Sequence, residues 1–392
     1  MPGKEINDLT LKTTPVSTDE LELQETSGGT SKKTTVGGLT SVIANTGKNA
    51  IINGDFNIWQ RGTSFAAIPN AGFSADRFLY GVIGTAVHTA SRSTDVPTQA
   101  QSGIKSNYSL LLDCTTADTS IAAGDYCFIT QYIEGYNYKQ FEGNTGTLSF
   151  WVKGTKTGIH CVAFRNTAVD RSYVVEYTIN TTATWEKKTI TVDFDYSGGT
   201  WDYTTGVGLR IAFVLSAGSD RHGVADTWNS ANDIATTNQV NACDSVANDF
   251  RLAQVQFELG GVATPFESRF AQHEIDLCHR YYQRFLHKAD ISDPAHSTVS
   301  GAGAIGDAGG VDIFLPLRVN MRVQPTTTLS AYTGFSFYDG TTNQTVTSIG
   351  ASTHGTSAIN IYAAGGPASG FRGCAMYADA GESVYIAADA EL

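Results

Sequence analysis

The sequence predicts a mainly β protein built from an N-terminal extended segment, a jelly-roll β-sandwich, one amphipathic helix and a small C-terminal β domain. Three observations carry this. Of 392 residues 16% are charged and 41% hydrophobic, with 40 Gly and 10% aromatic residues. The charged share is well below the roughly 25% usual in soluble domains, and the bias favours pleated strands joined by tight turns. Short apolar runs recur between Gly, Asn, Asp and Ser clusters from about residue 49 to 270, and only one later stretch changes to a helical period. The apolar fraction suffices to bury a core, and the length suits two or three domains.

Residues 1–47 carry only isolated apolar side chains such as Leu9, Leu11, Leu21, Leu23, Val36 and Leu39. They cannot close a core alone, so the segment is expected to order on a partner. Leu9 and Leu11, then Leu21 and Leu23, alternate with polar residues as short strands do, and Ser27-Gly28-Gly29-Thr30 marks a turn toward Lys32-Lys33-Thr34-Thr35-Val36. Residues 48–268 contain eight strand candidates: Tyr108 to Asp113, Phe128 to Ile133, Thr147 to Lys153, Ile159 to Arg165, Tyr173 to Ile179, Lys187 to Phe194, Gly208 to Leu215 and Phe250 to Leu259. Adjacent apolar residues interrupt the alternation in several, as expected where both faces of a strand are partly covered. About eight strands in two sheets make a jelly roll. Between residues 269 and 286, Ile275, Cys278, Tyr282 and Phe285 recur at helical spacing, which predicts a connecting helix. Residues 287–392 open on a Ser-, Ala- and Gly-rich stretch and then give strand candidates at Val311 to Val319, Thr326 to Ala331, Ile359 to Tyr362 and Ser383 to Ala388.

Charge and motifs exclude several functions. With 26 Lys and Arg against 38 Asp and Glu the net charge is −12, and the basic residues are scattered, so a phosphate-tracking nucleic-acid surface is not expected. No apolar run approaches the ~18 residues that span a bilayer, and the opening MPGKEINDLT lacks the order of a secretion signal; the chain is expected to stay in the cytosol until assembly or lysis. The six cysteines lie far apart without a C-x-x-C pair and read as reduced core thiols. Gly301-Ala302-Gly303-Ala304-Ile305-Gly306 matches G-x-G-x-x-G, but no strand is expected before it and no helix after it, so it reads as a linker. His273 and His279 are six apart, on different helix faces, where a zinc pair needs four. No nucleophile elbow is present. A carboxylate pair would be sought at Asp193, Asp195 and Asp202, although solvated strand-edge carboxylates are far commoner.

The aromatics in Gly-, Asn- and Asp-rich segments, Tyr136, Tyr138, Trp201, Tyr203 and Trp228, are the candidate binding residues. A flat ring stacks on the C–H face of a pyranose while neighbouring amides and carboxylates bind its hydroxyls. The alternative is that these rings plug the ends of a sandwich or bury at a subunit contact.

Asn49-Ala50-Ile51-Ile52-Asn53-Gly54-Asp55-Phe56-Asn57-Ile58-Trp59-Gln60-Arg61-Gly62-Thr63-Ser64-Phe65, followed by Ala75-Asp76-Arg77-Phe78, resembles the opening of a jelly-roll domain of tailed-bacteriophage fibre and receptor-binding proteins. The resemblance continues through Gln131-Tyr132-Ile133-Glu134-Gly135, Leu148 to Gly154, the Phe250 to Gly260 strand, Ala263 to Arg269 and Cys278-His279-Arg280-Tyr281-Tyr282, about 230 residues in the family's order. Residues 5–39 resemble a virion-attachment module, and Ala387 to Leu392 is similar to the ending of such proteins. The resemblance implies a non-enzymatic virion component, assembled in the host cytoplasm and homotrimeric. Residues 1–47 would attach it to other virion proteins, and its jelly roll would bind host surface polysaccharide. The alternative is a purely structural head fibre, decoration or tail adaptor protein. The jelly roll is also similar to carbohydrate-binding modules, whose N-G-x-F opening can hold a structural calcium; Asp55 and Asp249 are the positions this implies, against capping or turn roles for both.

Overall fold

A computed structural model of the chain describes residues 20–24, 31–35, 47–194, 198–288, 297–305, 310–338, 343–365, 373–378 and 383–392. Of the N-terminal segment it describes an antiparallel pair, Glu20–Gln24 against Ser31–Thr35, with Leu21 opposite Thr34 and Leu23 opposite Lys32. This agrees with the Leu21/Leu23 alternation; the expected Leu9/Leu11 strand lies outside the described residues.

Two antiparallel sheets form the sandwich. The front sheet runs, edge to edge, Trp228–Asn229, Ser172–Ile179, Gly158–Arg165, Val207–Ala217, Tyr126–Glu134, Phe78–Ile83 and Gly72–Phe73. The back sheet runs Glu186–Asp193, Thr145–Gly154, Asp249–Leu259, Ser109–Thr116, Val87–Ser93 and Ser64–Phe65. All eight expected strands are present. Phe78–Ile83 is a further strand, and at its Gly81 a Cβ would overlap the Phe128 ring of the neighbouring strand. Side chains alternate across the front sheet: Cys127, Ile129 and Ile133 enter the central core with Leu209, Ile211, Phe213, Val162 and Phe164. Their neighbours Phe128, Cys161, Ala163, Val174, Ala212 and Val214 form a second cluster on the outer face, under Ile234 and Ala235 of the loop that crosses it.

The expected helix is shorter than its periodicity implied. It spans Ala271–His279, and Tyr282–Lys288 is a strand paired with Ser383–Asp389. Tyr282 and Phe285 are good strand formers, and Phe285 reaches the C-terminal core instead of a helix face. Gln283 is fully buried and donates from Nε2 to the Val319 carbonyl at 2.9 Å. Tertiary pairing overrode the local period. The linker expected at residues 301–306 is corrected over 301–305, where Ser297–Ile305 is a strand between Gly373–Ala378 and Gly310–Pro316; Gly306 lies outside the described residues. Its small residues suit a strand interior without signalling one. Among the described residues the C-terminal part holds this seven-stranded sheet and a three-stranded one, sharing a core of Val311, Ile313, Phe335, Phe337, Ile359, Ile361 and Ile386.

The two parts meet through a buried polar junction. Arg77, 2% exposed at its side chain, pairs with Glu391 at 5%; its guanidinium lies 3.5 Å from the Tyr281 ring and donates to the Tyr132 carbonyl at 2.7 Å. Arg61 reaches Asp389 at 3.0 Å and Glu391 at 3.4 Å. Glu134 accepts from Arg280 at 2.6 and 2.8 Å and from the Tyr281 hydroxyl at 2.7 Å. Gln131 brackets the Ile52 backbone with bonds of 2.7 and 2.8 Å, and Glu274 accepts from the Asn53 amide and from Arg269. Gly54 is required where it stands, because the Val255 carbonyl occupies the place of a Cβ.

Candidate functional site

Four of the five expected binding aromatics come together at one end of the sandwich. Tyr138 ends the short helix Gly135–Tyr138 and is fully buried; its ring stacks on Trp201 at 4.8 Å and 10°, with Tyr203 at 6.3 Å. Trp228 meets Trp201 edge-on at 5.9 Å and contacts Phe194 at 5.8 Å and Tyr173 at 5.2 Å. The polar tips of Trp201, Trp228 and Tyr203 are satisfied internally. Trp201 Nε1 donates to the Gly198 carbonyl at 2.7 Å, Trp228 Nε1 to the Asp193 carbonyl at 2.9 Å, and the Tyr203 hydroxyl to Glu142 at 2.7 Å. Burial and Glu142 push the Tyr203 phenol up to about 12. These ring faces are covered largely by one another and close the end of the core. Tyr136 stands apart, 49% exposed, with the Lys139 ammonium 5.8 Å from its ring.

The acidic candidates are turn and edge residues. The Asp202 carboxylate accepts from the Thr204 amide and hydroxyl and from the Gly206 amide, which holds it below the usual carboxylate range. Asp193 accepts from the Thr145 hydroxyl at 2.5 Å; Asp195 lies outside the described residues. Asp55 and Asp249 are not brought together. Gly54, beside Asp55, packs on Val255, six residues along the strand from Asp249, or about 20 Å at ~3.3 Å per residue. Asp249 pairs with Arg251, and Asp55 accepts from Asn57; each has one buried oxygen without a hydrogen-bond partner. Burial, then the nearby Glu274 charge, push Asp55 up to about 6. Among the described residues neither joins a group of three or more His, Cys, Asp or Glu donors.

Such a group does form at buried His88, Cys127 and Cys243. The Cys127 sulfur faces Nδ1 of His88 at 3.9 Å and the Cys243 sulfur faces Nε2 at 3.9 Å, while Nδ1 bonds the Tyr80 hydroxyl at 2.7 Å. The three ligand atoms lie within 4.8 Å of one another, and the Tyr80 hydroxyl on Nδ1 ties them into a buried polar network; burial pushes the Cys127 thiol up. The five cysteines with described side chains are buried and unpaired.

A site with different properties lies on the outer face of the front sheet. Tyr126, Phe128 and Tyr132 share that face of one strand, Arg210 lies opposite Tyr132 on the next, and Arg165 lies opposite Arg210 on the third. Arg221 joins them from the covering loop, and with Val169, Asn232 and Ile234 these residues line a cavity of about 220 Å³. Each guanidinium faces a ring: Arg210 and Tyr132 at 4.6 Å, Arg165 and Phe128 at 5.3 Å, Arg221 and Tyr126 at 5.8 Å. Arg165 donates to Asn232 at 2.9 Å and Arg210 to the Thr167 carbonyl at 3.1 Å, but the Nε of all three arginines is buried without a partner. Burial, with repulsion from Arg210 and Arg221 adding, pulls Arg165 down to about 10. Val169, a β-branched residue, holds φ of +53° at the rim, a strain of the kind found at ligand sites. Across the covering loop an open groove is lined by Glu176, His222, Asn229, Asp233, Thr236 and Asn238. The arginines are far apart in the chain, so no basic cluster marked them; the signal available was the same-face spacing of Tyr126, Phe128 and Tyr132.

The chain matches no protein-family model and no curated protein. Solved structures with a similar chain include the enzymatically active domain of tailspike protein 4 of bacteriophage CBA120, 17% identical, covering 54% of this chain and 21% of that chain at a TM-score of 0.29. A family 4 carbohydrate-binding module is 14% identical, covering 53% of this chain and 98% of its own at 0.29. The family 11 carbohydrate-binding module of a cellulosomal cellulase of Clostridium thermocellum is 10% identical, covering 50% and 95% at 0.26. The present chain therefore spans about a fifth of the tailspike chain.

Proposed function

We propose that this chain is a non-enzymatic fibre protein of a tailed-bacteriophage virion, attached to the particle by residues 1–47 and binding host surface glycan through its jelly roll. The observation that carries glycan binding is the outer-face cavity of Tyr126, Phe128, Tyr132, Arg165, Arg210 and Arg221, with an open groove of mixed polar and apolar lining across the covering loop. The arginines and Asn232 offer hydrogen bonds beside an apolar wall of rings, with Tyr126 stacked on Phe128 at 5.1 Å, the few polar groups in an apolar setting that a saccharide needs. The virion role is supported by the sequence resemblance, whose residues recur as the polar junction around Arg77 and Glu134. Assembly as a homotrimer is part of the same reading and would multiply weak sites into firm attachment.

Labelled full-length protein, its assembled mass measured in the same preparation, is added to host cells and to cells stripped of surface polysaccharide. Binding lost on stripping is the expected result, and undiminished binding to stripped cells would overturn glycan attachment. Removing residues 1–47 is expected to leave a folded oligomer absent from particles; normal incorporation would refute the attachment role. One observation favours a second reading: the mutually packed rings of Tyr138, Trp201, Tyr203 and Trp228 are what a purely structural virion component would also have.

A further inference from the structure

We infer that the outer-face cavity recognises an anionic saccharide, a sugar unit bearing a carboxylate or a phosphate; this deepens the glycan-binding reading and rests on it. Arg165 and Arg210 are directly opposed across adjacent strands, and like charges in that position destabilise a sheet. Arg221 brings a third positive charge to the same cavity. In a chain of net charge −12, with 12 more acidic than basic side chains, a matching carboxylate would be easy to supply. Among the described residues none of the three arginines makes an ion pair, in contrast to Arg61, Arg77, Arg269 and Arg280. Asp233 feels the Arg221 charge from the neighbouring groove.

Arg165 is only 6% exposed, and its free Nε, like those of Arg210 and Arg221, is a donor without an acceptor. A buried donor left unmade is costly, and a bound anion would both accept these bonds and offset the mutual repulsion. The rings under the guanidiniums exclude water from one side of the charged groups. A cavity of about 220 Å³ is small beside the roughly 300–1,000 Å³ of drug-sized sites, which fits one charged unit.

The test uses the full chain with an acidic polysaccharide rich in uronic acid, the same polymer after carboxyl reduction, a phosphodiester-linked polyol polymer and a neutral glucan, each at about 50 and 500 mM salt, where screening differs strongly. Free glucuronate and glucose 1-phosphate serve as competitors, and which of them displaces binding identifies the anion. Binding to a charged polymer at least tenfold tighter than to its neutral counterpart, weakening with salt, is expected. Equal affinity for native and carboxyl-reduced polymer, with no phosphodiester binding, would overturn the anionic specificity and leave glycan binding standing. Binding to host cells but to no saccharide would overturn glycan binding itself. Arg210→Gln and Arg221→Gln are each expected to lose tenfold or more in charged-polymer binding while unfolding no earlier than the parent, because each substitution relieves repulsion. Loss of stability together with unchanged binding by the folded fraction would assign these arginines to packing instead.

Discussion

Glu391→Gln is the substitution whose cost the junction fixes most clearly. Glu391 compensates Arg77, which is 2% exposed, donates also to the Tyr132 carbonyl and lies on the Tyr281 ring, and forms no second ion pair among the described residues; Glu391 also serves Arg61. Neutralising it leaves a buried guanidinium without its counter-charge. Breaking a buried pair from one side costs about 3–5 kcal/mol, a fall of about two orders of magnitude or more in the folded-to-unfolded ratio at ~1.4 kcal/mol per tenfold. The wider network sets the sign of the companion variant: Arg77→Met with Glu391→Leu removes both charges and is expected to cost less than Glu391→Gln alone. Urea unfolding of the full chain, followed by tryptophan fluorescence, compares the midpoints at equal slope. The reasoning fails if Glu391→Gln costs less than about 1 kcal/mol, or if the double variant is as unstable as the sum of its two single changes.

Asp55 gives a pH-dependent prediction. Its folded value, raised from 3.8 to about 6, lies above the unfolded one, so the folded state holds the extra proton between those values and this contribution is lost as pH rises through 6. Asp55→Asn is therefore expected to stabilise the protein at pH 7, by an amount on the order of 1–3 kcal/mol, and to make no difference near pH 4. A cation bound at Asp55 would reverse the sign at pH 7, so the comparison is made with and without added calcium. Trp201→Ala removes the ring stacked on Tyr138 and is expected to cost about 2 kcal/mol or more, whereas Tyr136→Ala should stay within ~0.5 kcal/mol; thermal melts of both decide this, and an unaffected Trp201→Ala would show that the cluster is not a plug. Tyr281→Phe takes one donor from Glu134 but leaves Arg280, so a loss of about 1–2 kcal/mol is expected by denaturant titration, and a loss equal to that of Arg280→Ala would refute the division of roles.

The sandwich was legible because its strands alternate and its turns are punctuated by Gly, Asn and Asp, so eight strands could be placed to within a few residues. Phe78–Ile83, with Gly81, and Ser297–Ile305, built of Ser, Gly and Ala, carry no such pattern; their strand state comes from partners supplied elsewhere in the chain. The helix was overextended because Tyr282 and Phe285 keep helical spacing by coincidence while pairing with Ser383–Asp389. The quoted run Asn49 to Phe65, with Arg77, Gln131, Glu134, Arg269 and Tyr281, carried the resemblance without revealing its purpose. The structure gathers them into one hydrogen-bonded junction, so their chemistry concerns holding two parts of the chain together. The arginine cavity was hidden for a geometric reason: Tyr132, Arg165 and Arg210 are neighbours only after three strands have been put in register.

The junction also orders events in time. Arg61 and Asp389 are 328 residues apart, and Arg77 and Glu391 are 314 apart, so the contacts that seal the two parts are among the most distant the sequence allows. A growing chain can close much of the sandwich early, but Arg77 meets its counter-charge only after residue 391 has left the ribosome. Until then a charged pocket and the Tyr281 surface stay open to water and to other chains. Contacts of such separation form slowly, which makes this the step at which a partly made protein is most open to misassembly, degradation or chaperone capture.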